Sequence, residues 1–271
     1  FAALHTGRLA RKGSPMPHLS LVLIGFGNVG KALARLLLRK QEDLEAQYGI
    51  TFQVTGIATS RHGTSLDPNG IDLQRALARI ETGQPLATLS SFGAPASMTD
   101  FICACSHAAG KNADLEVLFE NTPVNHLTGQ PAIDHLRAAL ECGMHAVTAN
   151  KGPVVHGFAQ LNELALQKQR RFMYESAVMD GAPIFSLFRG PLPCAELRGF
   201  HGILNSCTNY ILGLMENGES FEQAVSSAQS IGIAETDPSA DIDGWDAAIK
   251  VAALSTALMG IPLKPQEVTR E

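Results

Sequence analysis

Short apolar runs alternate with amphipathic stretches between residues 19 and 150. The run LSLVLIG at 19–25 is almost continuously apolar, as expected of a strand that is buried on both faces of a sheet. Residues 31–47 carry apolar positions at steps of three and four, which predicts a helix, and TFQVTGIAT at 51–59 predicts a second strand. A strand, a helix and a strand of these lengths form a parallel βαβ unit.

The alternation continues to the middle of the chain. Helices are predicted over 71–81 and 131–143, and strands over DFICACS (100–106), LEVLFENT (115–122) and HAVTAN (145–150). The segment SRHGTSLDPNG at 60–70 is rich in turn formers and predicts a loop. Strands that alternate with helices predict an α/β fold with a doubly wound parallel sheet, which we place at residues 19–155.

Residues 156–271 have a different pattern. Helices are predicted over 158–170, 208–218 and 220–232, and strands over RFMYESAV (171–178) and ELRGFHGIL (196–204). This mixture predicts an α+β domain for substrate binding or dimerisation. Residues 1–18 contain the basic, acid-free segment FAALHTGRLARKGSPM, which is typical of a transit peptide or of a leader ahead of Met16. We expect this leader to lie outside the folded domains.

The composition describes a globular protein. Of the 271 residues, 45% are hydrophobic and 17% are charged, which is typical of a chain with a packed core. The formal net charge of −5 offers no basic face for nucleic acid or for an anionic membrane. No apolar run is long enough to predict a transmembrane helix.

The five cysteines are odd in number and scattered along the chain: Cys103, Cys105, Cys142, Cys194 and Cys207. This usage predicts reduced thiols and a cytoplasmic protein. Cys103 and Cys105 alternate within FICAC and would share one face of the predicted strand. Two interpretations remain open there: a metal or redox pair, and ordinary buried free cysteines, which are common.

The motif GFGNVG at 25–30 follows the first predicted strand and precedes the first predicted helix. In a dinucleotide fingerprint the first glycine permits a tight turn, the second lets the backbone approach a pyrophosphate, and the third permits close packing of helix and strand. The pyrophosphate then binds amides at the helix N-terminus. The motif in this setting predicts a Rossmann-like domain that binds a dinucleotide cofactor, and the alternative is a glycine-rich turn without a ligand.

The end of the second strand bears on which cofactor is bound. Folds specific for NAD usually place an acidic residue about 20 positions after the glycines, where it binds the ribose hydroxyls. Here the strand ends in Ala58-Thr59-Ser60-Arg61, and no acid occurs before Asp67. Arg61 could instead bind a 2′-phosphate, so NADP(H) is favoured over NAD(H); the alternative is a surface arginine at a loop.

Two further segments place polar groups in positions of interest. Lys151 in TANKGP directly follows a predicted strand, at the edge of the sheet where doubly wound folds bind ligands. YESAVMDGAPI joins Glu175 to a bend with a glycine and a proline, where a carboxylate and backbone carbonyls could bind a hard cation. From these residues alone, a simple loop is the favoured interpretation of the second segment.

The segment AETDPSADIDGWDAAIK at 234–250 gathers five carboxylates ahead of one lysine. The helix that follows its turn-forming part places Asp246 and Lys250 one turn apart on the same face. An ordinary helix salt bridge is the simpler interpretation. However, Lys250 leads into the apolar run VAALSTALMG, so we expect it to be partly buried. A partly buried lysine beside carboxylates is suited to proton transfer.

The motifs GFGNVG, TANKGP, YESAVMDGAPI, GILNSCTNYIL and AETDPSADIDGWDAAIK occur in the order found in homoserine dehydrogenases, and from residue 19 onward the chain resembles that family. The resemblance implies reversible, NAD(P)-dependent conversion of a small-molecule substrate, L-homoserine, to L-aspartate 4-semialdehyde, on the route to threonine and methionine. It also implies a homodimer.

The resemblance implies roles for individual residues as well. The implied cofactor-binding residues are Gly25, Phe26, Gly27, Asn28, Val29, Gly30, Thr122 and Lys151. The implied catalytic residues are Lys250 as acid and base, Lys151 near the reacting oxygen, and Asp241 as a further active-site acid. Glu235 and Asp246 match the residues that bind the substrate's amino group. Glu175, with backbone oxygens of Val178, Asp180 and Ala182, matches a sodium site.

The chain departs from the family pattern in two places. Ser206-Cys207 stands where members usually have Gly-Thr, and members usually continue beyond Glu271 in a segment that packs against the nucleotide domain. Without that segment, we expect impaired closure over the cofactor. Two alternatives to a homoserine dehydrogenase stay open: another Rossmann reductase of an amino-acid semialdehyde, for which Cys207 would be the candidate nucleophile, and a non-catalytic NAD(P)-binding regulatory protein or fragment.

Overall fold

The computed structural model describes residues 16–93, 95–109, 113–179, 181–234 and 237–270. These residues divide into two compact units that are interleaved along the chain. Unit 1 comprises the described residues of Phe1–Pro123, Pro131–Asn150 and Ala159–Met173, and unit 2 those of Val124–Gln130, Lys151–Phe158 and Tyr174–Glu271. Lys151 therefore belongs to unit 2, and the predicted domain boundary at residue 155 stays a prediction.

The regular elements are as follows. The strands are β1 (His18–Ile24), β2 (Thr51–Thr59), β3 (Gly63–Leu66), β4 (Leu115–Glu120), β5 (His145–Thr148) and β6 (Phe172–Met173). The helices are α1 (Asn28–Asp43), α2 (Leu73–Glu81), α3 (Met98–Ala109), α4 (Ala132–Glu141), α5 (Lys151–His156), α6 (Phe158–Gln167), α7 (Ile184–Arg189), α8 (Ser206–Glu216), α9 (Phe221–Ser230), α10 (Ser239–Ile242) and α11 (Trp245–Leu254). No helix among the described residues is both long and apolar enough to cross a membrane.

Unit 1 contains a single six-stranded sheet in the order β3-β2-β1-β4-β5-β6. All neighbouring pairs are parallel except β2 and β3. The strand order reverses between β1 and β4, and their carboxyl ends meet at the edge where doubly wound sheets bind ligands. The predicted Rossmann-like architecture is confirmed, with one antiparallel strand at its border.

That border strand corrects the loop predicted over 60–70. The chain turns at residues 60–62 and returns as β3, which pairs antiparallel with the end of β2. Leu66 is buried on this strand, and Asp67 begins the next turn by accepting a hydrogen bond from the Asn69 N–H at 2.9 Å. The turn formers therefore mark the two ends of a short strand, and the prediction of a continuous loop is wrong.

The strand predicted over DFICACS is also wrong, because this segment forms part of α3. Phe101, Ile102 and Cys105 are fully buried, and their spacing places them on one face of a helix. The Asp100 N–H donates to Ser97 Oγ at 3.1 Å, which is the hydrogen bond of an N-terminal helix cap. The serine was the available signal for a helix at this position.

The cysteines of this helix also differ from the prediction. Cys103 forms a disulfide with Cys142, which follows α4, instead of a pair with Cys105. Cys105 is a buried free thiol, and burial raises its pKa above the ordinary value. The interpretation of Cys103 and Cys105 as a metal or redox pair is therefore wrong, and the interpretation as a buried free cysteine holds for Cys105. The expectation of reduced thiols fails for Cys103 and Cys142.

The described residues of unit 2 form helices and loops. Of RFMYESAV, only Phe172–Met173 forms a strand, and this strand belongs to the sheet of unit 1. The strand predicted over 196–204 is not formed, because an extended segment becomes a strand only beside a backbone partner, and no strand lies in the described part of unit 2. A small apolar cluster that includes Cys207, Ile211 and Ala224 packs α8 against α9.

Candidate active site

The glycine turn, Gly25–Gly30, joins the end of β1 to the start of α1. Gly25 has a φ of +86°, and a Cβ there would lie 2.6 Å from the carbonyl oxygen of Asn121 at the end of β4. Gly30 packs equally closely, because its Cβ would lie 2.4 Å from the carbonyl oxygen of Gly25. Both glycines are therefore required by close backbone approach within unit 1.

The middle of the turn is open. Apart from its neighbours in the chain, no atom of the described residues lies within 4 Å of a Cβ built on Gly27, and Gly27, Asn28 and Val29 are exposed. In the part of the chain that the structure describes, no side chain caps the N-terminus of α1, and no acid occurs in the first turn of this helix. These features leave room and amide donors for an anionic group such as a pyrophosphate. Phe26 is buried in the core, so it could bind a cofactor through its backbone only.

Replacement of Gly30 by alanine is expected to destabilise unit 1 by roughly 1–3 kcal/mol, because backbone atoms must move to admit the methyl group. Gly27→Ala is the matched control in the same turn: it should leave the unfolding midpoint of the ligand-free protein unchanged and weaken dinucleotide binding. Thermal unfolding and NADPH titration of both variants measure the two effects. Equal destabilisation by the two substitutions would contradict the close packing assigned to Gly30.

The other predicted cofactor residues of unit 1 follow β2 and β4, the two strands that flank β1. Arg61 is exposed in the turn between β2 and β3, two residues after β2 ends. Thr122 lies two residues after β4, and its backbone N–H donates to the carboxylate of Glu120 at 2.8 Å. Sequence reasoning missed Glu120 because it is part of an apolar run.

Three charged side chains of unit 2, Lys151, Asp246 and Lys250, form a lysine–aspartate cluster. Lys151 Nζ lies 3.2 Å from Asp246 Oδ1, and Lys250 Nζ lies 2.7 Å from Asp246 Oδ2. Lys151 is the first residue of α5, whereas Asp246 and Lys250 lie one turn apart on α11, as their spacing predicts. The side chain of Lys250 is only 15% exposed, so its expected partial burial is confirmed.

The neighbours of Asp246 hold it as a carboxylate. Burial alone would raise its pKa, but the charge of Lys151 and hydrogen bonds from Lys250 and Asn205 lower it below the ordinary value. Lys250 Nζ also donates to the carbonyl oxygen of Leu204 at 2.6 Å. Two ammonium groups around one carboxylate give this cluster a net positive charge, which can stabilise an oxyanion.

Asn205 connects the cluster to Asp241, and sequence reasoning missed it. Its Oδ1 caps α8 by accepting from the Thr208 N–H at 2.8 Å. Its Nδ2 donates to Asp241 Oδ1 at 2.7 Å and to Asp246 Oδ2 at 2.9 Å. The capping role could have been predicted, because asparagine before a helix is a preferred N-cap. The contacts with two distant aspartates carry no local signal.

Cys207 lies beside this network in the first turn of α8. Burial raises its pKa, and the nearby charge of Asp241 and a hydrogen bond with it raise the pKa further. The thiolate is the nucleophilic form of cysteine. The surroundings of Cys207 therefore oppose the role of nucleophile considered for the semialdehyde-reductase alternative.

His126 is another group that sequence reasoning missed. Burial lowers its pKa first, the charge of Lys151 lowers it further, and Asp246 opposes both. The backbone oxygen of His126 lies 2.9 Å from Nε2 of His156. His126 thus adds a neutral imidazole beside the lysine–aspartate cluster at neutral pH, and no pattern in the sequence indicates this.

The remaining predicted residues are only partly described. Glu235 and Asp180 lie outside the described residues. The carboxylate of Glu175 accepts hydrogen bonds from the N–H and the hydroxyl of Ser186 near the start of α7. Val178 is buried, and the carbonyl oxygen of Ala182 accepts from the Ile184 N–H at 2.9 Å. The described members of the implied sodium site offer a carboxylate and backbone carbonyl oxygens, the type of ligand that a hard cation takes.

Comparison with known proteins covers both halves of the chain. The family model described as "Homoserine dehydrogenase, NAD binding domain" matches residues 25–175, and the model "Homoserine dehydrogenase" matches residues 183–271. An NAD(+)-dependent homoserine dehydrogenase of Pseudomonas canavaninivorans is 35% identical over 254 residues, which cover 94% of this chain and 70% of that relative. A homoserine dehydrogenase of Methanocaldococcus jannaschii is 36% identical over 244 residues, which cover 90% of this chain and 70% of that relative.

A solved structure is similar as well. A hyperthermophilic archaeal homoserine dehydrogenase in complex with NADPH superposes with a TM-score of 0.72 at 28% identity. The match covers 93% of this chain and 75% of that chain.

Proposed function

Because the chain belongs to the homoserine dehydrogenase family, we propose that it catalyses the reversible, NAD(P)-dependent oxidation of L-homoserine to L-aspartate 4-semialdehyde. The observation that supports this reaction best is the lysine–aspartate cluster of unit 2, in which one partly buried carboxylate binds two ammonium groups. Such a cluster offers an anion for the substrate's amino group and a lysine for its hydroxyl proton. The family resemblance implies that this reaction lies on the biosynthetic routes to threonine and methionine.

Asp246 and Glu235 would bind the substrate's ammonium group. Asp246 is suited to this role because its lowered pKa keeps it ionised at neutral pH. Asp241 would support Asp246 through Asn205, which donates to both carboxylates. A hydrogen bond between an ammonium group and a carboxylate contributes about 1.5–3 kcal/mol, which is enough to orient a small substrate.

Lys250 would exchange the proton. In the oxidation direction the amine of Lys250 accepts the hydroxyl proton while hydride leaves the carbon that bears this oxygen. In the reduction direction the ammonium group of Lys250 returns the proton to the developing alkoxide. Lys151 would stabilise the charge on the same oxygen. The nicotinamide cofactor, when bound, supplies the hydride acceptor or donor.

The glycine turn would hold this cofactor, because the open position of Gly27 and the uncapped start of α1 fit a pyrophosphate. Thr122, and Lys151 as the resemblance implies, would contact its nicotinamide end. We propose NADP(H) rather than NAD(H) as the cofactor because Arg61 could bind the 2′-phosphate of NADP(H). A solved family member binds NADPH, whereas the relative from P. canavaninivorans is NAD(+)-dependent, so the two cofactors require a direct comparison.

The experiment that tests the proposal is homoserine oxidation assayed in parallel with NADP⁺ and NAD⁺. We expect homoserine-dependent formation of reduced cofactor with both, at a higher kcat/KM for NADP⁺. A protein that binds NADPH but shows no homoserine-dependent change would instead support the regulatory alternative. Alkylation of the thiols should leave the rate of homoserine oxidation unchanged. A loss of activity after alkylation would support a cysteine-dependent reductase.

Replacement of Arg61 by alanine is expected to raise the KM for NADP⁺ by roughly 10- to 100-fold, because a charge-assisted hydrogen bond to the 2′-phosphate is lost. The KM for NAD⁺, which lacks this phosphate, should stay unchanged. Arg39→Ala, which removes an exposed arginine on α1, is the control for the change in net charge. Equal effects of the Arg61 substitution on the two cofactors would exclude the assigned contact.

Three further features belong to the proposal. A sodium ion would bind Glu175 together with the backbone oxygens of Val178, Asp180 and Ala182. A homodimer is supported by exposed apolar side chains in unit 2, among them Ile203 and Leu212. A cytoplasmic location now rests on the biosynthetic reaction alone, because the Cys103–Cys142 disulfide removes the argument from reduced thiols.

A further inference from the structure

A buried glutamate lies at the carboxyl edge of the sheet in unit 1 and has no role in the reaction described above. Glu120 is the last residue of β4 and is 0% exposed. Its Oε1 accepts from the backbone N–H of Thr122 at 2.8 Å and also from the Thr122 hydroxyl. Its Oε2 accepts from the hydroxyl of Thr148, the last residue of β5, at 2.8 Å. One carboxylate thus connects the ends of two neighbouring strands.

The connection continues into the next turn. The Asn150 N–H donates to Thr148 Oγ1 at 3.0 Å, and Asn150 Nδ2 donates to the carbonyl oxygen of Thr122 at 3.2 Å. Glu120, Thr122, Thr148 and Asn150 therefore form a closed hydrogen-bond network. This network adjoins the glycine turn, since the backbone of Asn121 and Thr122 lies against Gly25.

Burial of a charged carboxylate at this position lowers the stability of the fold. Burial raises the pKa of Glu120, while hydrogen bonds from Thr122, Thr148 and Asn150 lower it in part. A neutral glutamine of the same size could connect the strands as well, because its amide can both donate and accept. Glutamine would, however, put a donor in place of one of the two acceptor oxygens, so it could not keep the direction of both hydroxyl hydrogen bonds.

Both carboxylate oxygens of Glu120 act as acceptors here, since Oε1 accepts from the Thr122 N–H, which can only donate, and Oε2 accepts from the Thr148 hydroxyl. The hydroxyl hydrogen of Thr122 must point toward Glu120. Thr122 can then offer only oxygen lone pairs to a bound molecule, and its partner must be a donor. A ribose hydroxyl or a carboxamide N–H of a nicotinamide cofactor is such a donor.

We propose that Glu120 is a positioning residue for the cofactor: it orients Thr122 and the turn at Asn150, and it makes the Thr122 hydroxyl an acceptor for a donor group of the cofactor. This inference rests on the proposed function for the identity of the cofactor. Glu120 would act on the cofactor through Thr122, without contacting the cofactor itself.

Glu120→Gln is the first test. It should raise the Kd for NADPH about three- to tenfold, raise the KM for the cofactor similarly, and leave the KM for homoserine unchanged. Burial raises the pKa of Glu120 in the folded state, so the charged form of this side chain opposes folding. The unfolding midpoint without cofactor should therefore stay equal or rise.

Thr55→Val is the matched control in the same sheet. It removes the buried hydrogen bond between Thr55 and Ser20, whose hydroxyl oxygens lie 2.7 Å apart, four residues before the ends of β2 and β1. This variant should lower the unfolding midpoint and leave the Kd for NADPH unchanged. If Glu120→Gln behaves like this control, its role is structural and the inference is overturned.

A double-mutant cycle tests whether Glu120 acts through Thr122 and remains informative if Glu120→Gln is poorly stable. Thr122→Val alone should weaken NADPH binding, and Glu120→Gln added to it should weaken binding no further. Additive effects would contradict the inference. Because the readout is NADPH binding, the test holds even if homoserine is not oxidised, so failure of the proposed reaction and failure of this inference are distinguishable.

Discussion

Replacement of Lys250 by alanine is expected to lower kcat for homoserine oxidation by roughly 10²- to 10⁴-fold, the range contributed by a general acid or base. The Kd for NADPH should not change, because Lys250 is not among the residues proposed to bind the cofactor. Steady-state kinetics and NADPH titration measure the two quantities. Lys168→Ala, which removes an exposed lysine, is the control for the loss of one positive charge.

Lys250→Arg separates proton transfer from ion pairing. Arginine keeps a positive charge beside Asp246 but cannot lose its proton in a protein. We therefore expect a folded variant that binds homoserine and NADPH and has a kcat as low as that of the alanine variant. Near-normal turnover in either variant would exclude Lys250 as the acid and base.

Replacement of Asp246 by asparagine is expected to raise the KM for homoserine by roughly 10- to 100-fold, because the substrate's ammonium group loses its charged partner. The same change leaves Lys151 and Lys250 without a counter-ion and should destabilise unit 2 by about 1–3 kcal/mol, less than for a fully buried pair because the side chains retain some exposure. Asp243→Asn, at an exposed aspartate in the same segment, is the matched control.

The stability effect of Asp246 should depend on pH. Its pKa is lowered in the folded state, so its contribution to stability is fully present above the unfolded pKa of about 3.9. That contribution is lost as the pH falls through the lowered folded value. The difference in unfolding free energy between the wild type and Asp246→Asn should therefore be large at neutral pH and small in strong acid. A difference that does not change with pH would contradict the ion pairing.

Local features of the sequence predicted the glycine turn and the Asp246–Lys250 pair correctly. The turn depends on a strand, three glycines and a helix that are adjacent in the chain, and the pair depends on the pitch of one helix. Neither requires knowledge of distant contacts. The same local reasoning failed for α3, where FICAC fits a strand or a helix equally well until the cap at Ser97 decides between them.

Contacts between distant segments could not be predicted from residue patterns. The ion pair of Lys151 with Asp246 and the bond of Asn205 to Asp241 join segments that are far apart in the sequence. Glu120 was missed because its position in an apolar run does not indicate which hydroxyl groups will donate hydrogen bonds to its carboxylate. The Cys103–Cys142 disulfide likewise depends on how two helices pack. Of the five acidic residues between 234 and 250, Asp237 and Asp243 are exposed and are not needed for the site.

The central claim is that Asp246 binds the ammonium group of the substrate whose hydroxyl proton Lys250 removes. The most direct measurement compares kcat/KM for L-homoserine with that for 4-hydroxybutanoate, the same molecule without the ammonium group, in the wild type and in Asp246→Asn. We predict that the wild type prefers homoserine by at least roughly 10- to 100-fold and that the variant loses most of this preference. Equal use of both substrates by the wild type, or an unchanged preference in the variant, would contradict the claim.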